Sequence, residues 1–289
     1  MLKVGPNAGL KVGPEAALEP SPALSAEAFG RISKLMYDRF GIHLGPAKRH
    51  LVVSRLADLL RQRGLRTFED YYRYVVSDPS GQELSAMADA LTTNFTSFFR
   101  EREHFDFLVR FVLPTLKERP KIRLWSAGCA SGEEPYTLAC TLLDTLGAKH
   151  PTIEILATDI STRALSTAQR GVYPEDRVGD FPMPWRRRFL LRGDGKWAGW
   201  FRFKPEVHSV IRFSYLNLND GFSNVGMFNA IFCRNVMIYF DQAARQRLID
   251  RLLHQLEPGG FLFSGHAESL SGVEHSLQLV EPAVYRKKA

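Results

Sequence analysis

Apolar residues first recur at helical spacing at Phe29, Ile32, Met36 and Phe40, and Gly41 ends the run. After Pro46 the same rhythm turns Leu56, Leu59 and Leu60 to one face as far as Gly64. Phe68 to Val76 and "ELSAMADAL", Glu83 to Leu91, extend it. Short connections between these segments predict a small helical bundle. Beyond it the period changes. "IRLWSAG", "IEILATD", "VIRFSYLNL", "NAIFCRNV" and "GGFLFSGH" are short apolar runs bounded by polar residues or glycine, with amphipathic stretches such as "YTLACTLLDTLGAKH" between several of them. That alternation predicts an α/β fold, a mostly parallel sheet covered by helices, with ligands bound at the carboxyl ends of the strands.

Between Tyr173 and Val210 the rhythm breaks. In "RRRFLLRGDGKWAGWFRFKPEV" alternating apolar residues flank a loop carrying Gly193, Gly195 and Gly199, which are hairpin signals for a small antiparallel β-subdomain inserted at about 173–210. The start of the chain repeats "LKVGP" at Leu2 to Pro6 and at Leu10 to Pro14, with too few apolar residues to offset ordering entropy. The expected organisation is a flexible tail (1–23), an N-terminal helical domain (24–92) and a sheet domain (93–289).

The composition, 289 residues with 45% hydrophobic and 24% charged, is that of a globular chain able to bury a core. No apolar run approaches the roughly 18 to 20 residues that span a bilayer, so a soluble cytoplasmic protein without membrane insertion is expected. Cys129, Cys140 and Cys233 form no CxxC pair and sit in apolar or glycine-bearing segments; buried thiols are expected, and no metal site. A net charge of +7 favours acidic partners without choosing among them. Lys48, Arg55 and Gln62 recur every seven residues along one helix flank, either as a solvated face or as a docking surface.

Candidate chemistry gathers where strands end. "SAGCASGEEP", Ser126 to Pro135, offers small residues that allow close approach to the backbone, followed by a helix starting near Glu133. Asp159 ends the second run, where an acid accepts ribose hydroxyls in nucleoside-binding sheets, or alternatively caps the next helix. "FCRNVMIYFD" places Arg234, Asn235 and Tyr239 at the end of the fourth. An arginine inside an apolar run needs a partner, either a ligand, the favoured reading, or a structural network. "LTTNFTSFFRERE", Leu91 to Glu103, mixes polar and aromatic residues in a way that suits neither core nor linker.

Taken in order, "LTTNFTSFFRE", "WSAGCASGEEPY", "ATDIS", "CRNVMIYFD" and "LFSGHAESL" resemble the CheR family of chemotaxis receptor methyltransferases, from about Ser25 to Tyr285. The resemblance implies a Rossmann-like S-adenosylmethionine-dependent methyltransferase sheet. It implies methylation of chemoreceptor glutamates on cytoplasmic helices, with S-adenosylhomocysteine as product. It also implies a cofactor site of Asn94, Thr96, Arg100, Glu134, Asp159, Asn217, Leu218, Arg234 and Asn235, with Arg100 and Tyr239 nearest methyl transfer. The glycine-bearing insert is similar to that of the branch that clamps a receptor C-terminal pentapeptide, which makes Gly193, Gly195 and Gly199, beside Lys48 and Arg55, docking candidates.

A glutamate carboxylate is ionised at neutral pH and needs no general base. His104, His254 and His266 are accordingly read as helix or rim residues. Two rivals stand beside this reading. A nucleic-acid methyltransferase would suit the charge, but the Asn/Asp-Pro-Pro-aromatic loop and a Pro-Cys pair are both missing, so no nucleic-acid partner is expected. The other rival is a non-catalytic module that senses cofactor. Nothing in the sequence requires more than a monomer.

Overall fold

The structure is a computed structural model that describes residues 22–147 and 152–288. The repeat-bearing tail lies outside the described residues up to position 21. Helix α1 (Ala26–Phe40) starts where the Ser25 hydroxyl accepts from Ala28 N at 3.0 Å and stops at Gly41, which adopts φ 71°. Its inward stripe is Ala28, Ile32, Met36 and Phe40, so small Ala28 occupies the buried position and Phe29 is half-buried. Helix α2 (Arg49–Gln62) buries Val52, Leu56, Ala57 and Leu60, leaving Leu59 half-buried. Helices α3 (Phe68–Ser77) and α4 (Gln82–Leu91) close one cluster with these residues, against which Ile160 and Tyr239 of the sheet unit also pack.

A helix that the apolar pattern did not announce follows. α5 (Glu103–Phe107) runs through a π turn, Leu108–Val112, into α6 (Leu113–Leu116). The widened turn precedes Pro114, whose ring cannot donate the usual backbone hydrogen bond.

The chain then alternates: β1 (Lys121–Ala127), α7 (Glu133–Leu146), β2 (Thr152–Asp159) and α8 (Thr162–Arg170). Next comes the insert, with β3 (Val172–Pro174), α9 (Met183–Phe189), β4 (Leu190–Arg192) and β5 (Trp200–Phe203). After α10 (Pro205–His208) come β6 (Ile211–Tyr215), β7 (Phe228–Cys233), α11 (Gln242–Gln255), β8 (Leu256–Ser264), β9 (Leu277–Glu281) and β10 (Val284–Lys287).

The large sheet has the order β6-β2-β1-β7-β8-β10-β9. Its first five strands are parallel, and β10 runs antiparallel to both β8 and β9. The order reverses between β1 and β7, which opens a crevice at their carboxyl ends. β7 is buried at every position, as a central parallel strand requires. The insert is a three-stranded antiparallel sheet, β3-β5-β4; the expected hairpin is β4–β5, and β3 completes it. Phe98 packs edge-on against Tyr173 and Phe181 and at a tilt against Phe201 and Phe203, joining the insert to the segment before α5. Among the described residues no helix is long and apolar enough to cross a membrane.

Candidate active site

The crevice at the strand-order reversal holds a cavity of about 220 Å³. Its floor is the turn after β1. Gly128 adopts φ 90°, and a Cβ there would stand 2.4 Å from Val236 Cγ2, so only glycine lets the β1 and β7 exits approach this closely. Gly128 N and Cys129 N donate to Thr158 O at 2.8 and 2.9 Å, which ties the turn to β2. Asp159 completes the tie: Oδ2 accepts from Ala130 N and Oδ1 from Ser161 N, each at 2.8 Å. Burial raises its pKa above the usual aspartate value despite these two donors. The acid thus holds Ser161, which is itself the cap of α8, and lines the cavity at once.

The second wall is a buried charge network. Arg234, its side chain 2% exposed, donates to Glu134 Oε2 at 2.9 Å, to Glu101 Oε2 at 3.0 Å and to the Arg100 carbonyl. Ser126 Oγ donates to the other Glu134 oxygen at 2.6 Å. Burial pushes both carboxyls up; Arg234 overrides it at Glu101, whose pKa falls, but only offsets it at Glu134, whose pKa stays raised. The favoured expectation that a ligand satisfies Arg234 is therefore corrected: two protein carboxylates do. Arg234 still lines the cavity, where it holds Glu134 in place. Asn235 is fixed by Glu268, which accepts from Asn235 N at 2.6 Å, Gly265 N at 2.8 Å and Ile238 N at 3.1 Å.

Phe99, Glu101, Ala130 and Asn235 all have positive φ, at 55°, 55°, 47° and 60°. Such conformations cost about 1–3 kcal/mol each and persist where surrounding contacts impose them. Here they sit in or beside the cavity wall.

The loop between α4 and α5 supplies the outer wall. Thr93 N donates to Tyr239 Oη at 2.9 Å, and Tyr239 Oη reaches back to Thr93 O at 3.3 Å. Arg177, from the insert, donates to Thr96 O at 3.2 Å and pairs with buried Glu133 at 3.5 Å. Arg100 donates to Phe95 O at 2.9 Å and makes no ion pair among the described residues. Phe98 and Phe99 are core residues, whereas Phe95 lines the cavity and is 68% exposed. From the helical unit, Phe40 and Ile42 line the cavity too; Asn217 Nδ2 donates to Arg39 O at 2.7 Å, and His43 N donates to Tyr239 O at 2.8 Å.

Asn94, Thr96, Arg100, Glu134, Asp159, Asn217, Leu218, Arg234, Asn235 and Tyr239 therefore all face one cavity. The docking candidates do not. Lys48 donates to His43 O at 3.2 Å, and Arg55 touches Thr93 Oγ1 at 3.4 Å from outside. Gly193, Gly195 and Gly199 lie in the β4–β5 loop, where Gly193 lines a separate depression with Trp197, Trp200 and Arg202. Sequence reasoning missed Phe40, Ile42, Glu101, Arg177 and Glu268. The available signals were the Gly41 stop, which leaves Phe40 at a helix end, and the acid in "GHAES".

A parallel sheet with its cavity at the strand-order reversal, an acid ending β2 and a small-residue turn after β1 define a nucleoside-binding α/β enzyme of the S-adenosylmethionine-dependent methyltransferase class. The chain belongs to the CheR methyltransferase family: residues 27–92 match its all-alpha domain and residues 94–286 its SAM binding domain. Among similar proteins, chemotaxis protein methyltransferase 2 of Pseudomonas aeruginosa is 40% identical over 260 residues, spanning 90% of this chain and 92% of its own. The chemotaxis protein methyltransferase of Klebsiella aerogenes is 40% identical, with 91% and 90% of the two chains covered. That of Escherichia coli is 39% identical, with 91% of each covered.

Proposed function

We propose that this protein methylates glutamate side chains on the cytoplasmic helices of chemoreceptors, using S-adenosylmethionine and releasing glutamate methyl esters and S-adenosylhomocysteine. The supporting observation is the convergence of four of the five quoted motifs, together with Asn217 and Leu218, on one cavity. The residues present suit the cofactor. Asp159 offers carboxylate oxygens for vicinal hydroxyls, and Glu134 offers negative charge to a cationic amino acid. Leu218 and Ile160 offer apolar surface, and the buried cation Arg234 is already neutralised by two acids. The bound cofactor supplies an electrophilic methyl group on a sulfonium.

The acceptor carboxylate is ionised at neutral pH, so no side chain has to remove a proton. Transfer joins a negative nucleophile to a positive donor, and a dry site that fixes both in line accelerates it. Arg100, without a carboxylate partner among the described residues and anchored to Phe95 O, would orient one acceptor oxygen while the other attacks. The Tyr239 hydroxyl clamps Thr93, which supports a role in positioning the loop that carries Asn94, Thr96 and Arg100. Incubation with labelled S-adenosylmethionine and receptor-containing membranes, beside RNA and DNA, tests this reading. Base-labile label on receptor glutamates is expected; label on nucleic acid or none on protein overturns it. The assay also excludes the cofactor-sensing alternative, which transfers nothing.

The depression on the insert favours a second contact. Its exposed β4 edge lies beside Trp197, Trp200 and Arg202, a setting for an extended peptide with aromatic and acidic groups. Docking of a receptor C-terminal pentapeptide there predicts that Trp197→Ala raises KM for tethered receptors only.

A further inference from the structure

At the Glu101 end of the charge network, among residues that do not line the cavity, three side chains converge that the reaction does not use as a group. Glu101, His104 and His266 each present a ligand atom, and these atoms lie within 4.8 Å of one another. His104 is 1% exposed, yet neither ring nitrogen makes a hydrogen bond of good geometry, although the Pro282 backbone carbonyl stands near enough to favour a proton on the ring. Buried ring nitrogens are normally satisfied, and this pair stands out among the described residues. His104 Nδ1 is 3.5 Å from Glu101 Oε2, and its ring meets that of His266 edge-on with centroids 4.9 Å apart. His266 is exposed, which gives an ion a way in.

We propose that Glu101, His104 and His266 form a site for a divalent transition-metal ion such as Zn²⁺, and that its occupancy weakens cofactor binding by drawing Glu101 away from Arg234. Two imidazoles and one carboxylate with an open fourth position are a donor set that suits zinc. Burial holds the His104 ring neutral, with its pKa pushed down to about 4, and the neutral ring is the ligating form. Zinc bonds of about 2.0–2.2 Å to nitrogen and oxygen require the three groups to draw together from their present spacing. Binding is therefore weaker than at a preformed structural site. The coupling follows from shared atoms: Glu101 Oε2 accepts from two Arg234 nitrogens, at 3.3 and 3.0 Å, and an ion on that oxygen displaces them. Arg234 also fixes Glu134 in the cavity wall, so the metal acts on the cofactor site through one carboxylate. The effect is reciprocal, and the cofactor weakens the metal to the same degree.

Calorimetric titration of Zn²⁺ alone into the full chain, repeated with Co²⁺ for its visible spectrum, tests the site. The expected result is one-to-one binding with the intense absorption of tetrahedral Co²⁺, lost in His266→Ala, whose exposed side chain can be removed without disturbing the core. Saturating Zn²⁺ should lower affinity for S-adenosylmethionine about tenfold in the parent chain and leave it unchanged in His266→Ala. Equal Zn²⁺ binding by both chains overturns the site and leaves His104 as a ring packed on Phe263. Zn²⁺ binding with unaltered cofactor affinity overturns the coupling. Both readouts are binding measurements, so they stand apart from the identity of the methyl acceptor.

Discussion

On its sheet side the cavity is walled by charges buried in company: Arg234 between Glu101 and Glu134, Asp159 on two backbone donors, Glu268 on three. On its helical side the wall is a loop whose polar ties use uncharged acceptors, with Tyr239 on Thr93, Arg177 on the Thr96 carbonyl and Arg100 on the carbonyl of its own Phe95. The contrast separates two jobs. The sheet side carries polar groups that must not move when a cofactor arrives, and breaking it leaves charges stranded. On the proposed function the loop side carries the groups that would meet the acceptor, and breaking it should leave the fold intact while the chemistry fails.

The largest test of that division is Arg234→Met. Removing the shared cation strands Glu101 and Glu134, and loss of one partner of a buried ion pair costs about 3–5 kcal/mol. Urea denaturation should show that loss together with failed cofactor binding; near-parent stability would mean that water already screens the network. Arg100→Ala should behave oppositely. With no ion pair to break, stability stays within about 0.5 kcal/mol, while kcat falls about 100-fold or more and cofactor affinity changes little. A fall in affinity that matches the fall in turnover would move Arg100 from the acceptor to the cofactor.

Tyr239→Phe comes next. It removes the hydroxyl that accepts from Thr93 N; Thr93 is exposed, so water can take over the donor and the loss in stability is only about 0.5–1 kcal/mol. If Tyr239 is a clamp, KM for the cofactor rises and the maximal rate survives. A fall in kcat alone, with KM unchanged, would restore the expectation that its phenol acts beside the transferred methyl.

The same division governs what was legible beforehand. The strand-end motifs foretold the sheet side well, because a turn such as "SAGCASGEEP" and an acid after a strand are local signatures of a local geometry. Glu101 was hidden inside an Arg-Glu-Arg-Glu run that reads as solvated. Only the φ of 55° at Phe99 and again at Glu101 turns that acid inward, and nothing in the residue types announces it. Phe40 and Ile42 reach the cavity through packing between units more than a hundred residues apart in the chain, which no short window can carry. The helix from 103 to 116 was masked by Pro114, whose cost the π turn absorbs. In the stretch from Leu91 to Glu103 the aromatics are divided: Phe98 and Phe99 brace the core, and Phe95 lines the cavity.

One residue crosses the division, and it yields the smallest effect. Asp89 on α4 belongs to the helical side, yet it is a half-buried carboxylate whose inaccessible Oδ1 has no partner among the described residues. Burial raises its pKa, with Ser161 and Arg163 opposing, and its charge in turn raises that of Asp159. An unfolded aspartate titrates near 3.9, so the folded chain holds this proton more tightly than the unfolded chain does. The stability this group contributes is fully present below about pH 3.9 and is lost as pH rises through the raised folded value. At neutral pH its ionised form is a net cost. Asp89→Asn keeps an acceptor and removes the charge, so it should stabilise the protein at pH 7 by about 0.5–1 kcal/mol, a rise of a few degrees in Tm. Calorimetric scans taken at falling pH should show the gain shrinking towards pH 4. An equal gain at every pH would mean that the charge is not its source, and Asp89 would then belong with the loop side of the cavity after all.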